Sequence, residues 1–313
     1  MKNKFLFIGL VLFLAFIYNI DFSALKHNVY EKYLWSNYIL LAVLINLHLV
    51  FRAIRFRHFS VLLINNSITI TQSFLLTSAS YFLAITTPFK IGDFSRGFLT
   101  NTNRINIHSV TIMEFIADTA LHFGIPIIGL LLFAPPFLLA RVNILYLLFM
   151  GIVVLMFFVY KKRSQLFGLL FKIPSIKKNR ESIDSLIQNL KTLFIKKSFI
   201  PSCLLFSLPS HFLYFIILHS ILITLGSGID FSHTVVAASV GMFLGTLSFI
   251  PMGLGSRDIS IYGILILYGV QPEIAELSVI LLRSLTLILL SVTSICYLLV
   301  ITLKKSNKID LIS

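Results

Sequence analysis

Runs of apolar residues separated by short polar stretches extend along the whole chain. Most of these runs are long enough for a helix to cross the hydrocarbon layer of a bilayer, which takes about 20 residues. They predict helices over 5–20, 37–56, 68–87, 110–133, 143–160, 200–225, 233–250, 258–270 and 276–303. We therefore predict an all-α polytopic membrane protein, in which 1–313 form a single membrane domain.

The composition excludes an ordinary soluble domain. Hydrophobic residues make up 57% of the 313 residues and charged residues only 12%, whereas about 25% of a soluble domain is charged. Lys2 and Lys4 precede the first run, as in a signal peptide, but no small-residue cleavage site follows. We therefore expect 5–20 to be an uncleaved first span.

The formal net charge of +14 is explained by topology rather than by nucleic acid. The segment 161–199 carries ten Lys or Arg residues, and cytoplasmic loops are enriched in such residues. Placing it in the cytoplasm also places both termini there, in a protein of the cell membrane. The other cytoplasmic stretches are then basic too, as expected next to the anionic inner leaflet.

The basic cytoplasmic segment 161–199 contains a predicted amphipathic surface helix. Its apolar residues recur at helical spacing at Ile183, Leu186, Ile187, Leu190 and Phe194. A helix with one apolar face between basic residues is typical of an element that lies on a membrane surface. Binding of a partner protein is the alternative.

Two of the apolar segments are interrupted. In the predicted topology both ends of each of these segments lie on the same side of the membrane, so the chain enters the membrane and returns to that side. The first, 68–104, breaks at TTPFKIGDFSRGFL, and the second, 233–272, breaks at PMGLGSRD. Neither return is long enough for a full span. We predict two broken or re-entrant helical hairpins, with the breaks at Pro88, Gly92, Pro251, Gly253 and Gly255.

The order of elements is the same in both halves of the chain. Residues 1–133 contain two spans, a hairpin and a span, and residues 143–303 repeat this order with the opposite orientation. Together they give six full spans plus two hairpins. Such a pattern indicates an inverted-topology repeat, whose paired interrupted segments mark a site near the middle of the membrane.

Charged residues inside or beside the apolar runs are candidates for that site. A charge in the membrane costs about 3 kcal/mol on insertion scales, so each is a functional hypothesis. The candidate substrate-binding cations are Lys90, Arg96, Arg257 and Arg283, and the supporting acids are Asp93, Glu114, Asp118 and Asp258. Half-helices that begin inside the membrane add positive dipole ends, so the site suits an anion such as phosphate. Buried ion pairs that hold helices together are the alternative.

Other polar residues receive simpler interpretations. Arg52, Arg55 and Arg57, at the end of a span, are expected to extend towards the headgroups and to set topology. The single histidines of the spans are expected to form hydrogen bonds between helices, and a proton relay is the alternative. They are His48, His122, His211 and His219.

Three ordered elements of the chain resemble those of a known family. The stretch from Pro88 to Arg96 is similar to its P-G-R-L-G-E-x-x-R element, and Glu114 and Asp118 match the acids of its E-R-x-x-D helix. The stretch from Pro251 to Asp258 is similar to its G-G-x-G-x-R-E element, and Arg283 follows at a suitable distance.

The family is the flippase-like membrane domain of lysylphosphatidylglycerol synthases, which includes stand-alone members of about this length. The sequence departs from the family pattern in three ways, of which the first is Phe89 at a position where glycine is common. Aspartate replaces glutamate at 93 and 258, and Phe115 replaces the arginine after Glu114. With no soluble domain after Ser313, we expect the aminoacyl-transfer chemistry of the two-domain synthases to be absent.

The resemblance implies translocation of a polar lipid headgroup, anionic or linked to polyprenyl phosphate, between leaflets. No nucleophile–base pair, metal-ligand cluster or nucleotide-binding motif is present, so we expect no enzyme activity, cofactor or metal. Two alternatives stay open. One is a membrane transferase using a polyprenyl-phosphate donor, with Asp93 or Asp258 binding Mg²⁺. The other is a secondary transporter of small ions. A lateral opening favours a lipid over an ion.

Overall fold

The computed structural model describes residues 35–63, 68–100, 103–133, 180–196, 199–248, 250 and 253–306. Within these ranges the regular elements are all helices. They are α1 (Trp35–Leu63), α2 (Ile70–Thr86), a 3₁₀ helix (Pro88–Ser95), α3 (Arg96–Leu99), α4 (Arg104–Phe133), α5 (Arg180–Ile195), α6 (Phe199–Thr224), α7 (Phe231–Leu247), α8 (Ser256–Leu267) and α9 (Pro272–Ser306). The predicted spans 5–20 and 143–160, and Pro251, lie outside the described residues.

Four of the described helices are long and apolar enough to cross a membrane. The spanning stretches are Ile39–Leu63 of α1, Arg104–Phe133 of α4, Leu204–Thr224 of α6 and Pro272–Tyr297 of α9. At 1.5 Å per residue, each exceeds the ~30 Å hydrocarbon layer. The all-α membrane class is confirmed, and the other two predicted full spans fall outside the described ranges.

The first interruption lies between α2 and the 3₁₀ helix. Helix α2 begins with a capping box, in which Thr69 and Gln72 bond each other's backbone N–H groups. It ends at Thr86, and the extended backbone of Thr87 precedes Pro88. The Thr87 hydroxyl donates to the Leu83 carbonyl at 2.8 Å and accepts from the Gly92 N–H at 2.7 Å. This one side chain therefore ties the end of α2 to the segment that follows.

Gly92 lets the 3₁₀ helix lie directly against the backbone of α2. A Cβ atom at this position would lie 2.0 Å from the Leu83 carbonyl carbon and 2.3 Å from the Ala84 nitrogen. Backbone atoms inside a helix cannot move aside as a flexible side chain can. The segment after the break therefore packs back on α2 only because residue 92 has no side chain.

We expect Gly92→Ala to lower the free energy of unfolding by about 1–3 kcal/mol or more, since it overpacks a backbone contact. The matched control is Gly124→Ala in α4, where an added Cβ meets nothing within 4 Å. There we expect no loss, because alanine is the better helix former. Thermal unfolding of both variants in detergent measures the difference, and equal melting temperatures would contradict the close contact.

The second interruption lies between α7 and α8. Gly253 and Gly255 adopt φ angles of 64° and 78°, a region that favours glycine. Helix α8 then begins at Ser256, and the Asp258 carboxylate accepts from the Gly255 N–H at 3.0 Å. Gly253 lies so close to Gly245 of α7 that a Cβ would be 2.7 Å from its Cα. Helix α8 thus packs closely along α7.

Long-range packing joins helices from the two halves of the described chain. Helix α1 packs on α6, α2 on α9 and α4 on α7. In each pair the residue numbers rise along one helix as they fall along the other, so all three pairs are antiparallel. The contacts that show this are His48–Ser210 and His58–Ser202, Phe74–Tyr297 and Ser78–Ser294, and His122–Thr246 and Gly129–Val236.

Helix α5 is the amphipathic helix predicted in the basic segment 161–199. Leu193 is buried in an apolar cluster with residues of α1, α2 and α4, and Leu190 packs against it. Asn189 donates to Asn106 and Ser109 of α4 at 2.9 and 3.2 Å. Part of its apolar face therefore packs on the bundle, and its contact with the inner leaflet stays a prediction.

Candidate functional site

Arg96 lies in the interior and is fully paired. Its side chain is 0% exposed. It donates through Nη1 to Glu114, through Nη2 to Asp93 at 2.9 Å and through Nε to the Ser80 hydroxyl at 2.8 Å. A guanidinium removed from water is tolerated only when its charge and its donors are satisfied in this way.

Two arginines of α1 join the same group of charges. Arg55, also 0% exposed, donates to Glu114 at 3.0 Å and bonds Asp118 through both of its terminal nitrogens. Arg52 donates to Asp93 at 3.3 Å. The result is a continuous chain in the order Arg52–Asp93–Arg96–Glu114–Arg55–Asp118, which we call the ion-pair network. Its three cations and three anions balance.

The prediction that Arg52 and Arg55 extend to the headgroups is wrong. They are 5% and 0% exposed, whereas Arg57 is exposed and donates to the Ile68 carbonyl at 3.1 Å. Their position along α1 explains this, since Leu49, Arg52 and Phe56 follow one another at helical spacing on the buried face. The helical spacing of these positions was the sequence signal that could have placed Arg52 and Arg55 in the interior.

A second buried pair holds the second interruption. Asp258 accepts from Arg283 of α9 at 2.7, 2.8 and 3.0 Å, and the two side chains are almost completely buried. Asp258 also accepts from the Gly255 N–H. Because one carboxylate binds both the guanidinium and the turn, the pair fixes the start of α8 to α9.

A cavity of about 170 Å³ lies between these two charged groups of the described chain. It is lined by residues of α1, α2, α4, α6, α7, α8 and α9. Described residues from both halves of the chain therefore contribute to it. Its charged lining residues are Arg52, Asp118 and Arg257, and His48, His122 and His211 add polar groups. The volume is about ten times the ~15 Å³ that one water needs.

Arg257 is the cation of the cavity that the described residues leave unbalanced. No described carboxylate lies within 4.0 Å of its guanidinium. Its Cζ atom instead lies 4.3 Å from the centre of the Tyr214 ring. Within the described chain, Nε of Arg257 and Nε of Arg52 are buried and have no hydrogen-bond partner. Each of these two lining residues therefore has a buried donor without a partner in the described chain.

The histidines that line the cavity form hydrogen bonds, either to a neighbouring helix or within their own helix. Nδ1 of His48 lies 3.0 Å from the Ser210 carbonyl of α6, and Nδ1 of His122 lies 2.9 Å from the Thr246 hydroxyl of α7. Nδ1 of His211 lies 2.9 Å from the Ser207 carbonyl, and its ring contacts that of His122 at 5.1 Å. The bonds of His48 and His122 are the interhelical bonds expected from the sequence.

Two of the candidate residues line the cavity, and most of the candidates form ion pairs. Arg257 and Asp118 line the cavity. Arg96 and Arg283 do not belong to its lining and bind acids instead. Asp93, Glu114 and Asp258 each bind an arginine. The side chains of Pro88 and Lys90 lie outside the described residues.

The acids considered for Mg²⁺ are already bound to guanidinium groups. Asp93 contacts Arg52 and Arg96, and Asp258 contacts Arg283. The described residues include no group of three or more His, Cys, Asp or Glu side chains able to hold a metal. Mg²⁺ requires near-octahedral oxygen ligands, and this donor set does not fit it.

Residues 4–294 match the family model described as the lysylphosphatidylglycerol synthase TM region. The chain belongs to this family. No curated protein and no solved structure matches the chain. The match to the lysylphosphatidylglycerol synthase TM region includes the whole ion-pair network and the cavity. It confirms the resemblance seen in the sequence, and together with the apolar helices it indicates a multi-pass membrane protein.

Proposed function

We propose that this protein moves a lipid between leaflets by passing the lipid's polar headgroup through the cavity. The observation that carries the proposal is Arg257, a cation without a described carboxylate partner that lines a cavity between membrane-spanning helices. Charges at such depth are rare and mark substrate pathways. A guanidinium is well suited to a phosphate group, because its donors lie in a planar fork.

The helix packing supports an inverted repeat around this cavity. In such a repeat α1 corresponds to α6, α2 to α7, α4 to α9, and the 3₁₀ helix with α3 to α8. When each helix is replaced by its equivalent, the packed pair α2–α9 becomes the packed pair α7–α4. Helix α1 packs on its own equivalent, α6, and the two are antiparallel. Inverted repeats of this kind place the substrate at the repeat interface. The two interruptions are then equivalent re-entrant elements, and Ile250, Gly253 and Arg257 of the second one line the cavity.

The position of Phe115 favours a lipid over a small ion. Phe115 of α4 lines the cavity and is 39% exposed. A lining residue of a spanning helix that is partly exposed supports a lateral exit from the cavity towards the bilayer. A lateral exit of this type lets a headgroup enter the protein while its acyl chains stay in the bilayer, and a small ion has no need of one.

The family description supports a membrane lipid as the substrate, and we propose an anionic phospholipid or a polyprenyl-phosphate-linked lipid because the cavity lining carries a cation without a described carboxylate partner. We place the protein in the cell membrane with both termini cytoplasmic. No nucleotide or metal step belongs to the proposal. Movement down a gradient requires only the pathway itself, and uphill movement requires coupling to an ion or proton gradient.

The test is headgroup translocation in proteoliposomes, using lipids labelled on an acyl chain and chemical quenching of the label in the outer leaflet. We expect the protein to accelerate loss of the protected label. Thr119→Trp, which fills the cavity from α4, is expected to slow this at least roughly tenfold, equivalent to ~1.4 kcal/mol in the barrier.

The matched control is Ala120→Trp, the next residue along α4, which is exposed and is not part of the cavity lining. It adds the same indole outside the pathway, so transport is expected to stay near that of the parent protein. Monodisperse elution and unchanged melting temperature verify that both variants fold. If the parent protein accelerates no lipid, or if both variants behave alike, the proposal fails.

A further inference from the structure

We infer that the cavity binds a proton at the histidine pair His122–His211, and that this proton crosses the membrane together with the lipid headgroup. A proton gradient then drives the lipid uphill. This inference rests on the proposed function and names its coupling ion. It follows from the placement of two histidines of different helices at one cavity and from the hydrogen bonds that fix their tautomers.

The two rings of the pair lie side by side in the cavity wall. His122 of α4 and His211 of α6 both line the cavity, and their ring centres are 5.1 Å apart. Two positive charges at this separation repel more strongly in a protein interior than in water, so such a pair takes up its protons one at a time. The cavity has room for several waters that can bring a proton to it. The pair is therefore suited to carry a single proton.

Hydrogen bonds determine which ring nitrogen takes up the proton. Nδ1 of His211 lies 2.9 Å from the Ser207 carbonyl, which can only accept, so this Nδ1 donates. Nδ1 of His122 lies 2.9 Å from the Thr246 hydroxyl, which gives its own hydrogen to the Met242 carbonyl at 2.8 Å and therefore accepts here. In both neutral rings the hydrogen is on Nδ1, so Nε2 is the basic atom. Protonation of Nε2 leaves both of these bonds intact.

The charged groups of the cavity link proton binding to headgroup binding. Arg52 and Arg257 line the same cavity and repel a positive charge on the pair. Asp118, one helical turn before His122, attracts it and is itself bound to Arg55. The described lining residues of α7 and α9 are not titratable, and the remaining titratable ones are His48 of α1, Tyr81 of α2 and Tyr214 of α6. An anionic headgroup offsets the repulsion by the arginines, so proton and headgroup each strengthen the binding of the other.

The test imposes a pH difference of about one unit across proteoliposomes that contain acyl-labelled phosphatidylglycerol as the probe. Valinomycin and equal K⁺ on both sides hold the membrane potential at zero. With one proton per lipid, the label is expected to accumulate in the leaflet on the alkaline side until the leaflets differ about tenfold, the ratio of the two proton concentrations. Protein-free vesicles of the same composition, followed for the same time, are expected to show no such accumulation.

The outcomes separate this inference from the proposed function. If the protein accelerates the probe at uniform pH but the gradient leaves the leaflets equal, or enriches the acidic side, coupling is overturned and translocation stands. No acceleration at uniform pH overturns both. A second measurement on the parent protein uses an entrapped pH indicator dye and vesicles with the probe in excess in one leaflet. We expect about one proton to move with each lipid, and lipid movement without proton movement overturns the inference.

Asparagine variants test the assignment to the pair. His122→Asn combined with His211→Asn keeps a donor near each Nδ1 position but removes both basic nitrogens, so the leaflet ratio is expected to fall from about ten to about one. The matched control is His58→Asn combined with His219→Asn. These two span histidines each bond a hydroxyl of a neighbouring helix and are not part of the lining, so the ratio is expected to stay near ten. If the pair variant does not fold or translocate, each single variant is measured. A ratio that stays near ten without the pair, or falls equally in the control, overturns the inference.

Discussion

Arg257→Gln is expected to abolish headgroup translocation while the protein stays folded. The variant removes the unbalanced charge of the cavity and its buried Nε donor. Hydrogen bonds to charged groups contribute about 1.5–3 kcal/mol, and the lost counter-charge adds to this. We therefore expect the rate for a singly negative lipid to fall by at least roughly 100-fold, equivalent to ~2.7 kcal/mol.

The same variant is expected to have little effect on stability. No described carboxylate pairs with Arg257, so its removal leaves no buried acid uncompensated. The contact with the Tyr214 ring is lost, and contacts of this kind contribute about 0.5–2 kcal/mol. Removal of an unbalanced buried charge offsets this. Thermal unfolding in detergent is the measurement that separates the two effects.

Arg257→Lys provides the matched control. It keeps the charge but lacks the planar fork and the Nε donor, and the two cations are not equivalent at such a site. We expect a rate between those of the parent protein and Arg257→Gln. Transport that survives in the glutamine variant would contradict a role for this cation in the pathway, and equal loss in both variants would contradict a role for its charge.

Arg55→Met is expected to cause the largest loss of stability. Arg55 is fully buried and binds both Glu114 and Asp118, so its removal leaves two acids inside the bundle without this partner. Breaking a buried ion pair in this way costs about 3–5 kcal/mol. The bond from Arg55 to Ser207 of α6 at 3.1 Å is lost as well, which loosens the contact between α1 and α6.

Arg57→Met tests this expectation on the same helix. Arg57 is exposed and donates to one carbonyl, so we expect a loss of no more than about 1.5 kcal/mol. Adding Asp118→Asn to Arg55→Met removes the charge of one acid that has lost its bonds to Arg55, and is expected to restore part of the stability. The measurement is denaturant unfolding in detergent; similar losses in the two methionine variants would contradict the buried network.

The positions of the helix ends near both interruptions depend on local chemistry, so the sequence allows them to be predicted closely. Helix α2 ends just before Pro88, which lacks the N–H that a continuing helix needs. Gly253 and Gly255 adopt positive φ angles just before α8 begins. Proline and glycine restrict or extend backbone conformation wherever they occur, whatever packs around them.

Partners of the buried charges could not be predicted in the same way. Arg96 and Arg283 were candidates for substrate contacts, yet each is bound to acids in the described structure. Arg52 and Arg55 were assigned to the membrane surface and instead lie in the interior. Arg55 contacts residues 59, 63 and 152 positions away in the chain. No spacing rule relates side chains at such separations.

The sequence by itself determined the class of this protein, its family, the helical character of its apolar segments and the positions of its two interruptions. These properties depend on hydropathy and on backbone chemistry, which act within a segment. Only the tertiary structure decided that Arg96, Arg283, Arg55 and Arg52 are paired and that Arg257 lines the cavity without a described carboxylate partner. The physical reason is that a buried charge is neutralised by whichever opposite charge the helix packing brings within a few ångströms, and that packing joins segments far apart in the chain.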